Sequence, residues 1–404
     1  MRVGIDIRVL GSPYKSGIEE YTENLLAHML PDNPDIKFKL FYSGNPELLK
    51  KYSWLGLDNV ELFQSPFSGK FTFAFARLFG YPKLDDVVGG VDPERSREGS
   101  QRASASYGVE AFFSPHFLLA PLNSYCRRVM TFHDLSYLRF REFFSLRRDL
   151  WHRFQIHSFG KKNLPDRIIA VSESTKKDIV ECYGIEPERI TIIYSGISPN
   201  IWTPDVRWTS GVVNELEEFR KKNELPREFI LFLGKLEPRK NVPALVRAFN
   251  LIKSSEGFED LNLVVVGAKG WLFEDVFKEA EMSPYRSKII FKDHVADEDK
   301  KFYYSLASAF IYTSFFEGFG FPPLEAMACG TPVIVSNNSS LPEVVGDAGL
   351  LVDPYNAVDI SNGVKAVMGD PNLRNALIKS GYERVGMFDW KKCAEQTLAA
   401  ILGK

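Results

Sequence analysis

Residues 312–343 read YTSFFEGFGFPPLEAMACGTPVIVSNNSSLPE. An apolar, β-rich run ends at Thr313, and a loop follows that carries Glu317, Gly318, Phe319 and Gly320. The pattern then predicts a helix over 323–329, with Pro322 and Pro323 in a first turn where a missing N–H costs nothing. Gly330 stops the helix before an apolar strand at 332–335. Strand, loop, helix, strand is the unit of a parallel sheet. Its glycine loop lets backbone N–H groups approach a ligand, and the helix start favours an anion. Glu317 in the loop and Glu325 in the first helical turn can grip separate hydroxyl-bearing parts of one ligand. Taken singly, each also reads as a solvated loop residue or a helix-dipole partner.

The same alternation extends in both directions. Strands are expected at 2–8, 36–43, 111–114, 127–132, 167–171 and 190–194, then at 229–235, 262–267, 288–292, 308–313, 332–335 and 349–352. Several are unbroken apolar runs, which marks strands buried on both faces. Two series of βαβ units imply two doubly wound domains, joined through an irregular stretch at 198–225 that ends in a charged helix at 214–223. Residues 84–108 read as a surface loop. Sheets of this kind bind ligands beyond the carboxyl ends of their strands, so two of them facing across a cleft would hold a nucleotide or another phosphorylated ligand.

Composition removes other classes. The 404 residues carry 50 basic and 52 acidic side chains, a balance unlike that of a nucleic-acid binder. Cys126, Cys182, Cys329 and Cys393 are far apart and suit a reducing compartment. No apolar run is long enough to span a bilayer, and MRVGIDIRVLG lacks the apolar core of a signal peptide. A cytoplasmic protein is expected. A dinucleotide dehydrogenase is disfavoured, since no G-x-G-x-x-G follows strand 1 or strand 229–235.

Three further clusters sit at strand ends. GKLEPRKN (234–241) places Lys235, Arg239 and Lys240 after a strand, where cations can neutralise a diphosphate without a metal. Gly17 stands between strand 1 and an amphipathic helix. His133 and Asp134 end the strand VMTF, where a histidine either caps the strand or meets a ligand. Ser172 or Ser174 reads as a helix N-cap. Asp297-Glu298-Asp299 spells D-x-D, but it opens a helix and reads as an acidic first turn rather than a metal site.

Glu317 through Glu325 resembles the E-x7-E motif of the retaining nucleotide-sugar glycosyltransferases of family 4, which have the GT-B fold of two Rossmann-like domains. The likeness covers nearly the whole chain and is strongest over 229–355. It implies an acceptor-binding domain over 1–200, a nucleotide-sugar domain over 201–380, and a tail, 381–404, whose helix near 391–402 crosses back to the first domain. It implies that Glu325 holds the ribose, Glu317 the donor-sugar hydroxyls, and Lys235 and Lys240 the leaving diphosphate with Arg239 beside them. Backbone amides of Gly318, Phe319, Gly320 and Phe321, with Leu324 next to them, would meet sugar and phosphate. Base selection would fall near 266–268 and 294–295, at Gly267 and Val295. Gly17, His133 and Asp134 would lie on the acceptor side, with His133 against the donor sugar. The family more often has Arg where this chain has Lys235.

The strings SGIEEYTENLL and TFHDLSYLRF…EFFSLRRDL are similar to bacterial mannosyltransferases of cell-surface polysaccharide assembly. They imply GDP-mannose as donor, with a UDP-sugar as the other candidate, and a glycan or lipid-linked glycan as acceptor. No cofactor or metal is expected. A nucleotide-sugar epimerase of the same fold, or a non-catalytic sugar-nucleotide-binding subunit, are the alternatives. Residues 138–162 carry seven basic and two acidic side chains among interleaved aromatics, and 66–80 (PFSGKFTFAFARLFG) adds further exposed-looking aromatics. The run reads either as a peripheral contact with an anionic membrane, at the inner face of the cytoplasmic membrane, or as a core helix with a basic face.

Overall fold

The computed structural model describes residues 1–11, 16–65, 83–90, 108–116, 121–144, 165–197 and 210–404. The chain divides into two compact units. The first comprises Met1–Leu135, Leu150–Gly196 and Asp389–Lys404, and the second Ser136–Asp149 and Ile197–Phe388. Thus Ser136–Asp149, although it follows a strand of the first unit, groups with the second.

The first unit holds β1 (Arg2–Asp6), β2 (Lys37–Tyr42), β3 (Val60–Gln64), β4 (Ala111–Ser114), β5 (Arg127–Phe132), β6 (Arg167–Ala170) and β7 (Ile190–Ile192). They form one parallel sheet in the order β3-β2-β1-β4-β5-β6-β7. The second unit holds β8 (Phe229–Leu233), β9 (Asn262–Val266), β10 (Ile289–Lys292), β11 (Ala309–Tyr312), β12 (Val333–Ser336) and β13 (Gly349–Val352). Their order is β10-β9-β8-β11-β12-β13, again parallel. Every residue of β4, β8, β11 and β12 is buried, because helices cover both sheet faces. In each sheet the strand order reverses once, between β1 and β4 and between β8 and β11. A crevice opens outside the strand ends at such a point.

Expected and observed strands agree to within two residues at either end, and one strand went unread. β3, VELFQ, is an edge strand whose residues are exposed or half-buried, so it shows no apolar run. The helices that matter here are α1 (Gly17–Met29), α2 (Glu173–Tyr183), α3 (Val242–Lys253), α4 (Phe321–Ala328), α5 (Leu341–Val345) and α6 (Trp390–Leu402). Ser16 caps α1 in a reciprocal box with Glu19, and the Ser172 hydroxyl caps α2 by accepting from the Thr175 amide. The helix expected at 214–223 runs Ser210–Lys222. α6 packs within the first unit: Trp390 meets Tyr21 of α1 edge-on at 5.9 Å, and Arg127 donates to the Ala400 carbonyl at 3.3 Å. Asp297–Asp299 forms a single turn ahead of the helix Lys300–Leu306, with Lys300 paired to Asp297 at 2.6 Å.

The ends of β8 and β9 come together so closely that one of them must be glycine. Gly234 N–H donates to the Val266 carbonyl and Gly267 N–H to the Lys292 carbonyl, both at 3.0 Å. A Cβ at Gly267 would stand 1.9 Å from the Gly234 carbonyl oxygen, which is backbone and cannot swing aside. Gly267→Ala is therefore expected to destabilise the protein by about 3 kcal/mol, the upper range for an overpacked site. Urea unfolding followed by circular dichroism checks this, and a midpoint equal to that of the wild type would contradict it.

Candidate active site

The turn after β8 and the loop after β11 meet at the switch point of the second sheet. Glu317, in that loop, is only 6% exposed. Its Oε1 accepts from the Lys240 ammonium at 2.6 Å and its Oε2 from the Arg239 guanidinium at 2.9 Å. Arg239 also donates to Glu237 at 2.9 and 3.1 Å and to the Phe316 carbonyl at 2.9 Å. Lys240 also donates to the Tyr312 hydroxyl at 2.5 Å. Two cations and two carboxylates are thus knotted together, three of the four buried. Burial alone would raise the Glu317 carboxyl pKa, but Arg239 and Lys240 outweigh it and hold the group down to about 2. Burial lowers the Lys240 ammonium from its ordinary value, against the upward pull of Glu317.

This corrects one expectation. Lys240 does not project freely as a cation; a buried ammonium needs a counter-charge, and Glu317 supplies it. Glu317 in turn is not a solvated loop residue. Lys235 differs: it is exposed, its ammonium lies 5.7 Å from the Trp271 ring centroid, and among the described residues no carboxylate pairs with it.

The helix start is also shifted. α4 begins at Phe321, with Gly320 at its N-cap in a left-handed backbone, φ 125°. Pro322 and Pro323 occupy the first turn, and Glu325 falls in the second. The Glu325 carboxylate is 4% exposed and its Oε2 accepts from the Tyr304 hydroxyl at 2.7 Å. Burial first, then Glu325, pushes the Tyr304 hydroxyl well above the usual phenol range, so it stays a donor. Phe319 is buried and Leu324 fully so. Gly318 stands beside Glu317, Gly267 follows β9, and the half-buried Val295 follows β10.

In the first unit, Gly17 is the exposed first residue of α1. His133 follows β5, with its ring edge-on to Tyr21 at 4.8 Å and Nε2 2.8 Å from the Pro115 carbonyl. That carbonyl only accepts, so Nε2 carries the proton and Nδ1 presents a lone pair. Burial holds the His133 pKa down to about 4, against the pull of the Pro115 carbonyl and Asp134, and the ring is neutral near pH 7. Asp134 is half-buried beside it.

Sequence reading missed several partners. Glu237 and Tyr312, which lie inside the quoted stretches without being singled out there, and Tyr304, which lies outside them, complete the two carboxylate sites. At the switch point of the first sheet, Asp6 is fully buried, accepts from Arg8 at 2.5 to 3.1 Å, and lies 3.4 Å from His116. Burial pushes the Asp6 pKa up, but Arg8 and His116 overcome it and hold the group far below the usual range. The described start of the aromatic-basic run is likewise committed: Phe140 packs on Phe316, Phe143 on Phe315 and Phe144 on Trp271, at 5.5 to 5.8 Å. Those aromatics therefore face protein. Residues 145–162, 66–80 and 91–107 lie outside the described residues. No group of three or more His, Cys, Asp or Glu placed to hold a metal occurs among the described residues.

Comparison with known proteins defines the class. The fold is that of WaaG, a glycosyltransferase involved in lipopolysaccharide biosynthesis, at a TM-score of 0.68 and 16% identity over 100% of both chains. Residues 214–384 match the family of glycosyl transferases group 1, and residues 109–201 match glycosyltransferase family 4. The chain is 31% identical over 290 residues to O-antigen chain mannosyltransferase B of Escherichia coli, covering 72% of each. It is 29% identical over 245 residues to serotype-specific mannosyltransferase WbdA of Escherichia coli, covering 60% of this chain and 29% of that one. The chain belongs to the family 4 glycosyltransferases, and it is a hexosyltransferase of the GT-B fold.

The Glu317 cluster makes stability depend on acid. A carboxyl that titrates near 4.5 unfolded and near 2 folded stabilises the fold fully above pH 4.5, and the contribution drains away as pH falls toward 2. The difference is worth about 3 kcal/mol. Urea unfolding between pH 6 and pH 3 should show about 2 kcal/mol of that loss in the wild type, since at pH 3 the folded carboxyl is still largely ionised. Glu317→Gln should be less stable throughout, because Lys240 is left buried without its partner, yet shallower in its pH slope by about one proton. An identical slope in both proteins would contradict the pairing.

Proposed function

We propose that the protein transfers mannose from GDP-mannose to a hydroxyl of a glycan or lipid-linked glycan, with retention of anomeric configuration, during assembly of a cell-surface polysaccharide. The observation that carries this reading is the pairing of Glu317 with Lys240 and Arg239 at a strand-switch point, next to the unpaired cation Lys235. Such an arrangement suits a sugar diphosphate. The relatives named as mannosyltransferases support mannose as the sugar.

In this reading Lys235 and the amide end of α4 take the diphosphate. The bond from the sugar's anomeric carbon to the diphosphate breaks as the acceptor oxygen bonds to that carbon from the same face, and the acceptor's proton passes to the departing diphosphate. Fixed cations stabilise the charge that develops on the leaving group, and they need no reorganisation at that moment. Glu317, held ionised, faces the sugar, with Lys240 and Arg239 fixing its carboxylate. Glu325 takes the ribose through the lone pairs that Tyr304 leaves open. Neutral His133 offers Nδ1 to a sugar hydroxyl, with Gly17 and Asp134 nearby on the acceptor side. Gly267 and Val295 border the base.

No helix among the described residues is long and apolar enough to cross a membrane. The net +5 charge of 138–162 supports a peripheral contact with the anionic inner face of the cytoplasmic membrane.

A thermal-shift panel of nucleotide sugars should give the largest rise with GDP-mannose, and purified protein should transfer mannose in excess chelator. A larger shift with UDP-, ADP- or dTDP-sugars would replace the donor, and activity that disappears with chelation and returns with magnesium would overturn the diphosphate site. Conversion of the nucleotide sugar without any acceptor would favour an epimerase. Glu325→Gln keeps an oxygen for Tyr304, so it should fold normally and raise the donor KM by roughly tenfold with little change in kcat, as expected for an interaction equal in ground and transition states. An unchanged KM would remove Glu325 from the donor site.

A further inference from the structure

Ser336, the last residue of β12, and the loop that follows it to Ser340 make a ladder of side-chain hydrogen bonds to the backbone of the Glu317 loop. Ser336 donates to the Ser314 carbonyl at 2.7 Å and Asn338 to the Phe315 carbonyl at 2.9 Å. The Ser339 hydroxyl accepts from the Glu317 amide at 3.0 Å. The Ser340 hydroxyl shares its proton between the carbonyls of Glu317, at 2.9 Å, and Phe319, at 2.5 Å. Beyond them, Leu341 stands 3.0 Å from where a Cβ on Gly320 would lie. One loop thus templates the other from residue 314 to residue 320.

Two of these contacts come at a local cost. Ser339 holds a left-handed backbone, φ 52°, which a serine adopts reluctantly and a glycine freely. Ser340 occupies the N-cap position of α5, where a serine hydroxyl ordinarily bonds its own helix, yet it makes no cap bond and reaches back to the other loop. Strain of this kind persists where the surroundings impose it, and such sites gather around functional groups.

We propose that Ser339 and Ser340 are positioning residues for the sugar-transfer reaction, fixing the backbone on both sides of the Glu317 carboxylate. The inference rests on the reading of Glu317 as a donor-site residue. The Arg239 and Lys240 bonds set the carboxylate end of that side chain, and the serine ladder sets its root. With both ends fixed, the carboxylate is held where a loop alone would let it wander, and small displacements of a positioned group are expensive in rate.

Ser339→Gly separates positioning from mere structure. It relieves the left-handed strain while deleting the acceptor for the Glu317 amide. A purely structural role predicts equal or higher melting temperature and unchanged kinetics. Positioning predicts an equal or higher melting temperature, a kcat reduced by about tenfold to a hundredfold with a smaller change in donor KM, and faster hydrogen exchange at the Glu317 amide. Ser339→Asn, which tolerates the same backbone and keeps a side-chain oxygen, should recover much of kcat. Ser340→Ala should lower kcat in the same way. Wild-type kcat and unchanged exchange in Ser339→Gly would overturn the inference. A wild-type protein that transfers no sugar from any donor would overturn the functional reading instead, and the exchange rate would then show by itself whether Ser339 holds the Glu317 amide.

Discussion

The buried ion cluster at Glu317 constrains everything around it. A carboxylate at 6% exposure is tolerated only because Lys240 and Arg239 meet it at 2.6 and 2.9 Å. Those two cations come from the turn after β8, more than seventy residues earlier, so β8 and β11 must lie side by side for the cluster to form. The same adjacency is the reversal point of the sheet. Fold and charge pairing therefore enforce each other: the sheet order brings the groups together, and the groups penalise any order that would separate them.

From this centre the rest of the second unit follows as support. Gly267 lets the end of β9 close against Gly234, which fixes the turn that bears Lys235. Trp271 gives Lys235 an aromatic face and is itself tied to the segment 136–144, donating its indole N–H to the Phe143 carbonyl at 2.5 Å. Gly320 turns the loop into α4, and Glu325 is held by Tyr304 from the neighbouring helix. Lys235 thus stands without a carboxylate partner among the described residues, beside the paired charges of Arg239, Lys240, Glu237 and Glu317.

Much of this was legible in the sequence. Unbroken apolar runs such as FILFL and VIVS announced parallel strands, and the glycine loop with its two glutamates announced where a ligand would sit. What the sequence hid was pairing across distance. Nothing in GKLEPRKN says that Lys240 turns inward while Lys235 stays outside, because both are lysines at a strand end and only burial distinguishes them. Nothing in the sequence singles out Tyr304 or Tyr312, whose hydroxyls meet Glu325 and Lys240 only once helix and strand are packed. β3 escaped notice because an edge strand needs no continuous apolar run. The aromatic-basic run 138–162 read either as a membrane contact or as a core helix, and in its described part three phenylalanines pack on aromatics of the second unit, which only the fold brings beside them.

If Glu317 and Lys240 act on the donor as one unit, the losses from changing them do not multiply. A kinetic double-mutant cycle tests it most directly, with kcat/KM for mannose transfer from GDP-mannose measured in the wild type, Lys240→Met, Glu317→Gln and the double variant. Each single change should cost on the order of a hundredfold, and the double variant should be no worse than the poorer single one, since removing either partner already disables the pair. Losses that multiply across the two sites, or single variants with near-normal kcat/KM, would contradict it.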